Sequence, residues 1–443
     1  MAREERSADL MISGGMVLTM NNKHEIIEKG AVAIKGNRIL AVGRAAELQE
    51  TVAAGALLEA ANCLIMPGLI NLHTHAPMVL FRGLADDLPL QTWLQEHIFP
   101  AEAAYINEES VYWGTLLAIV EMIRGGTTTF CDGYFCVDGA ARALLAGGIR
   151  GVLSQGVIDL PAPGVPDPSR NLQVAESFLR RWQGVSSRLA PGLFCHSTST
   201  CATETLRDAK SLCREAGLLL QIHLAETRTE VEETEKRHGF RPVYLLHKLG
   251  ILDSSTLCHH SVWLTEEEVD VLASSGVGVS HNPESNMKLA SGVAPLPRLL
   301  AAGVKVGLGT DGSASNNDLD MFGEMDNAAK LHKVWHGDPA LCPAMEVVQM
   351  ATCKGAAALG MAVEIGSLEE GKLADIITID LEQPHLTPLY EPCSHLVYSA
   401  RGSDVRDVIV DGTVLMRERQ LLSLDEEEAM ARVRQIAARI KTP

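Results

Sequence analysis

Between residues 66 and 366 the chain alternates short apolar runs with amphipathic stretches eight times, and this alternation restricts the fold more than any other feature. Strand-like runs fall at 68–73, 127–132, 148–154, 192–196, 218–223, 256–260, 276–281 and 304–310. Helical patterns such as 110–124, 203–215, 265–274 and 296–301 separate them. Strands covered by helices bury both faces, so they read as continuous apolar runs rather than as alternating ones. Eight strand–helix units over about 300 residues predict an α/β protein, a TIM-type (β/α)8 barrel rather than an open sheet. Aromatic residues make up only 4% of the chain against 46% apolar, so the interior must be filled by Ala, Val, Leu and Ile.

The two ends differ from the middle and resemble each other. Strand-like runs at 10–20 and 30–43 near the start match runs at 374–381 and 405–416 near the end, with a hairpin signal at Asp411-Gly412. The expectation is one small β-sandwich module assembled from both ends, with boundaries at 1–65, 66–366 for the barrel, and 367–443 including a terminal helix. The Pro-rich stretch 161–168 reads as a loop after the third barrel strand.

The net charge of −18 argues against a nucleic-acid polymer or an anionic membrane as partner, since both require clustered Lys and Arg. No run approaches the roughly 18–20 apolar residues that span a bilayer. The N-terminal segment carries charges of both signs and leads into no apolar core, unlike a secretory signal. Ten cysteines are scattered from 63 to 393 without a C-x-x-C pair, which fits buried thiols in a reducing cytoplasm.

Chemistry concentrates at the ends of the strand-like runs. In Asn71-Leu72-His73-Thr74-His75 the two histidines are two apart, so on a strand both imidazoles face one side. Alone, H-x-H is a weak signal that two unrelated histidines also produce. However, His223 ends the fifth run, His260 the sixth, and Asp311 follows the eighth. Barrel enzymes draw their functional groups from those C-terminal ends, so the set predicts a metal site. Nitrogen ligands with one carboxylate and no thiolate suit Zn2+ and tolerate Fe2+ or Mn2+. Glu226, three residues past His223, is placed to shuttle a proton, the alternative being a solvated carboxylate beside Glu230, Glu232 and Glu233.

Other signals carry less. Residues 307–312 (GLGTDG) match a dinucleotide fingerprint but end the last strand of eight and contain Asp311. No H-E-x-x-H occurs, nor H-x-E paired with P-C-x-x-C, which disfavours zincin and cytidine-deaminase folds. His259, His332 and His336 read as structural or solvated, and Glu266–Glu268 as a solvated helix face.

The stretches 67–77 (PGLINLHTHAP), 125–129 (GGTTT), 222–227 (IHLAET), 280–295 (SHNPESNMKLASGVAP) and 309–318 (GTDGSASNND) resemble the amidohydrolase superfamily. Within it they are most similar to the 5-methylthioadenosine/S-adenosylhomocysteine deaminase group. The resemblance covers essentially the whole chain. It implies His73, His75, His223 and Asp311 as ligands of one divalent ion, because the fourth run ends Phe194-Cys195-His196 without the lysine of two-metal relatives. It further implies that His260 orients the attacking water, Glu226 protonates the ring nitrogen, and Asp311 takes the proton from the water.

For substrate binding the resemblance places Glu102 on the ribose hydroxyls and His196 on the adenine, whereas the bland readings are an exposed helix-start Glu and a structural His. Gln155 stands where some members carry an Arg that holds a homocysteine carboxylate, and Arg170 matches a second such Arg; 197–201 (STSTC) also departs from the usual text. The implied activity is hydrolytic deamination of 5-methylthioadenosine, S-adenosylhomocysteine or both to the inosine analogue plus ammonia, by a homo-oligomer, dimer or tetramer. Two alternatives stand beside it: the same site acting on an s-triazine, pterin, 8-oxoguanine or guanine, and a non-catalytic scaffold.

Overall fold

The computed structural model describes residues 6–440; residues 1–5 of the charged N-terminal segment and 441–443 of the expected last unit lie outside the described residues. Eight parallel strands pair in chain order: Leu69–Thr74, Thr127–Tyr134, Arg150–Val157, Leu189–Cys195, Leu220–Leu224, Thr256–His260, Gly278–His281 and Lys305–Leu308. Just past the eighth strand the amide of Asp311 donates to the carbonyl of His73 at 2.8 Å, which brings the last strand back to the first. This is the expected barrel. No helix among the described residues is long and apolar enough to cross a membrane.

The strands are buried along nearly their whole length, with polar residues such as Asn71, His73, Asp132 and Arg150 buried among the apolar ones. The outer helices start and stop at local signals. Asn107 caps Glu108–Arg124 through a reciprocal box with Ser110, and Thr265 caps Glu266–Ser275 in the same way with Glu268. Gly276 closes the latter helix with φ of +72°, a conformation that costs a residue bearing a Cβ. The second and third strands run past their expected ends because their pairing continues through Gly133 with Ser154 and Tyr134 with Gln155.

The two chain ends form one nine-stranded sheet of mixed sense. Cys63–Pro67, from the N-terminal side, pairs antiparallel with Ile376–Asp380 from the C-terminal side, so this strand straddles the boundary expected at 65. The sheet curls on itself: Asn37, in the hairpin between Ile26–Lys35 and Arg38–Arg44, donates to Asp411 at 3.1 Å. One apolar cluster, including Ile12, Ile34, Ile39, Ile65, Ile376 and Ile409, fills the curve.

Among the contacts that tie the module to the barrel, a buried ion network and the terminal helix stand out. The buried guanidinium of Arg150, at the start of the third barrel strand, donates to both oxygens of Asp375 (2.7 and 3.1 Å) and to Asp411 (3.2 Å). The terminal helix Glu426–Ile440 leaves the module and lies along Glu108–Arg124, with Glu426 paired to Arg124 and Arg432 over the ring of Trp113.

Candidate active site

All five expected metal-site residues meet at the C-terminal ends of the strands. The ligand atoms of His73, His75 and His223 lie within 4.8 Å of one another, and so do those of His73, His260 and Asp311. His73 and His75 project from the end of the first strand, His223 from the fifth and His260 from the sixth. His75 Nδ1–H donates to the carbonyl of Gly133 at 2.6 Å, which fixes the tautomer and leaves Nε2 with its lone pair facing Asp311 at 3.4 Å.

The donor set fits a cation. His73 is fully buried, yet neither of its ring nitrogens makes a hydrogen bond. Burial holds its pKa down at about 3, and burial together with the neighbouring imidazoles holds His223 well below the usual range. Both rings are therefore neutral, as ligation requires. Burial alone would raise Asp311, but the imidazoles of His73, His260 and His75 outweigh it and keep the carboxylate ionised. Oδ1 of Asp311 faces His73 Nε2 at 3.2 Å, while Oδ2 accepts from the hydroxyls of Ser285 (2.7 Å) and Ser315 (2.9 Å).

His260 Nε2 stands 4.0 Å from both Glu226 Oε2 and Asp311 Oδ2. Burial opposes its protonation, but Glu226 and Asp311 overcome that and raise its pKa. Its other nitrogen is held by Asn286 Oδ1 at 2.9 Å. The backbone is left-handed at Ala225 (φ +48°), His260 (+65°) and Asp311 (+63°), the positions that turn these side chains inward. Such conformations each cost about 1–3 kcal/mol and persist where packing over-determines them.

The cluster forms one end of a cavity of about 170 Å³. Glu226, Glu102 and His196 also line it. Ser291 donates to Glu226 Oε1 at 3.0 Å. Glu102, on the helix Phe99–Tyr105, is buried and accepts from the Tyr134 hydroxyl at 2.6 Å. Burial pushes its pKa up, the Tyr134 bond offsets part of this, and the result is about 7.

The "Amidohydrolase family" model matches residues 64–415. The chain belongs to the amidohydrolase family. Among characterised relatives, this amidohydrolase is 48% identical to a 5-methylthioadenosine/S-adenosylhomocysteine deaminase of Syntrophobacter fumaroxidans, over 98% of this chain and 99% of the other. It is 45% identical to a 5'-deoxyadenosine deaminase of Methanosarcina mazei, over 98% and 100% respectively. Among solved structures it superposes on an adenosine deaminase from Xanthomonas campestris with bound zinc (TM-score 0.96, 37% identity, 99% and 100% covered). It shares its fold with a triazine hydrolase at 23% identity (TM-score 0.90, 97% and 99% covered).

The other expected residues do not all lie at the site. His196 lines the cavity with Nδ1 bonded to Thr200 Oγ1 at 2.8 Å, and burial lowers its pKa to about 4. Arg170 does not join them: it is exposed before the helix Asn171–Trp182, with Nε on Gln173, and is absent from the cavity wall. The expected tail contact at Arg170 has no counterpart in the cavity wall of this structure. Gln155 is buried, with its amide turned to the Gly156 carbonyl. His259 stacks on His73 at 3.8 Å and bonds Gln221, and His332 bonds His281 at 3.0 Å.

Sequence reasoning missed Tyr134, Ser285, Ser291, Ser315 and Asn286, which hold the carboxylates and His260 in place. For Tyr134 a signal existed: it closes a strand that ends at the same face as His73.

Proposed function

We propose that this amidohydrolase hydrolytically deaminates an adenosine-type nucleoside, 5-methylthioadenosine or a close analogue, to the inosine counterpart and ammonia. The observation that carries this reading is that Glu226, His260 and Asp311 converge beside the histidine cluster, at one end of the cavity that also holds the buried Glu102. His73, His75, His223 and Asp311 would hold one ion, and three imidazoles with a carboxylate favour Zn2+, with Fe2+ or Mn2+ tolerated. When bound, such an ion supplies the Lewis acidity that brings the pKa of a water toward neutrality.

The chain's own groups do the remaining work. Glu226 delivers a proton to the ring nitrogen next to the attacked carbon; Ser291 holds its Oε1 and leaves Oε2 toward His260. His260, fixed through Asn286, orients the water in the gap between Glu226 and Asp311. Asp311 takes the proton that the water loses, and a second transfer to the amino group releases ammonia. Neutralising the ring nitrogen as the tetrahedral carbon forms removes negative charge from it, which is where rate is gained. Glu102 accepts from the ribose hydroxyls, and His196 contacts the base.

Glu226→Gln tests this reading. Removing a general acid costs about 10²- to 10⁴-fold in kcat; the variant should lose that much ammonia release while retaining its metal, and chelation should abolish release in the parent. Near-normal turnover by Glu226→Gln refutes the assignment.

A further inference from the structure

The cavity changes character along its length. The histidines and Asp311 occupy one end, whereas Leu90, Trp93, Leu94, Leu160 and Pro161 form an apolar wall. Leu160 and Pro161 are exposed, so this wall is the mouth. Leu90, Trp93, Leu94, Phe99 and Glu102 all come from one continuous helical stretch, Leu90–Thr92, Trp93–Ile98 and Phe99–Tyr105. Leu94 precedes Glu102 by eight residues on that stretch, on the side of Leu90 and Trp93.

With the base at the histidine end and the ribose on Glu102, a 5′ substituent passes under the apolar turns. Among the described residues no lysine or arginine lines the cavity; its carboxylates are Glu102, Glu226 and Asp311. A carboxylate held against this wall would give up part of its hydration for apolar carbon and find no cationic partner in the lining. A methyl or methylthio group would instead gain by leaving water.

We infer that the site selects nucleosides whose 5′ substituent is small, neutral and apolar, and discriminates against a zwitterionic amino-acid tail. The inference rests on the deaminase reading and narrows it. The test is kcat/KM for ammonia release from 5-methylthioadenosine, 5'-deoxyadenosine, adenosine and S-adenosylhomocysteine by the metal-loaded enzyme.

The expected result is that the first two exceed S-adenosylhomocysteine by roughly ten- to hundredfold, the range over which pocket complementarity discriminates. Equal or faster turnover of S-adenosylhomocysteine overturns the inference while leaving the deaminase reading standing. No turnover of any of the four, with active metal content verified, removes both. A second measurement uses Leu160→Arg, which puts a cation at the mouth. The ratio of S-adenosylhomocysteine to 5-methylthioadenosine turnover should rise by about two- to fivefold, the upper range for an exposed ion pair. Because a ratio cancels general damage to the enzyme, one that stays unchanged counts against the placement of the tail on this wall.

Discussion

Removing the hydroxyl of Tyr134 tests how the buried carboxylate of Glu102 is kept competent. Its pKa is about 7 because burial raises it and the 2.6 Å bond from Tyr134 pulls it part of the way back. A hydrogen bond to a charged group is worth about 1.5–3 kcal/mol, and one pKa unit is about 1.4 kcal/mol, so Tyr134→Phe should raise Glu102 by roughly one to two units. At pH 7 the ionised fraction would fall from roughly one half to between a tenth and a hundredth. If the ribose diol is held by the ionised form, kcat/KM rises with pH through about 7 in the parent, and this limb moves to higher pH in the variant. At pH 7 the loss should be roughly five- to fiftyfold.

The assay is kcat/KM for an adenosine-type substrate from pH 5.5 to about 9, parent against variant. The competitive inhibition constant of 2′,3′-dideoxyadenosine serves as control. That analogue lacks the diol, so its binding should not acquire the shifted limb. Superimposable profiles, or a limb that moves to lower pH, would refute the argument. Limbs from the metal site are common to both proteins and cancel in the comparison.

Two further perturbations address the scaffold. Arg150→Met strips the cation from the buried carboxylate of Asp375 and the half-buried one of Asp411 and should destabilise by about 3–5 kcal/mol, read from urea unfolding; a loss under about 1 kcal/mol would show the network to be dispensable. Gly309→Ala places a methyl 2.7 Å from the His73 amide nitrogen and 2.5 Å from Ser280 Oγ, so the first strand must shift. Metal content per chain should fall well below that of the parent by elemental analysis, and full loading with normal activity would show that the strand ends adapt.

The barrel and its metal site were legible because they follow from pattern. Continuous apolar runs define parallel strands, and His73, His75, His223, His260 and Asp311 each sit at the end of one. Glu226 was found by its distance from His223 alone. The groups that hold these residues were not legible: Ser285, Ser315, Ser291 and Asn286 are small polar residues whose partners lie on other elements, and nothing local marks them. The left-handed backbone at His260 was equally hidden, since packing rather than residue type imposes it. Arg170 shows the converse hazard. A cation at a plausible position in the text here stands exposed at a helix start, bonded to the equally exposed Gln173. The wall formed by Leu90, Trp93 and Leu94 escaped notice because three apolar residues in a helix read as ordinary core.

The pairing of Cys63–Pro67 with Ile376–Asp380 has a consequence for how the protein is made. The two strands are separated by about 300 residues of barrel. At roughly 5–20 residues per second, synthesis leaves the first strand without its antiparallel neighbour for about 15–60 seconds. Throughout that interval the ribosome-bound chain displays an apolar sheet edge, which is the kind of surface that recruits other chains. The barrel must emerge in full before its own N-terminal sheet is sealed. Holdase chaperones acting on the nascent protein would therefore have their longest-lived target near the beginning of the sequence, directly ahead of His73 and His75.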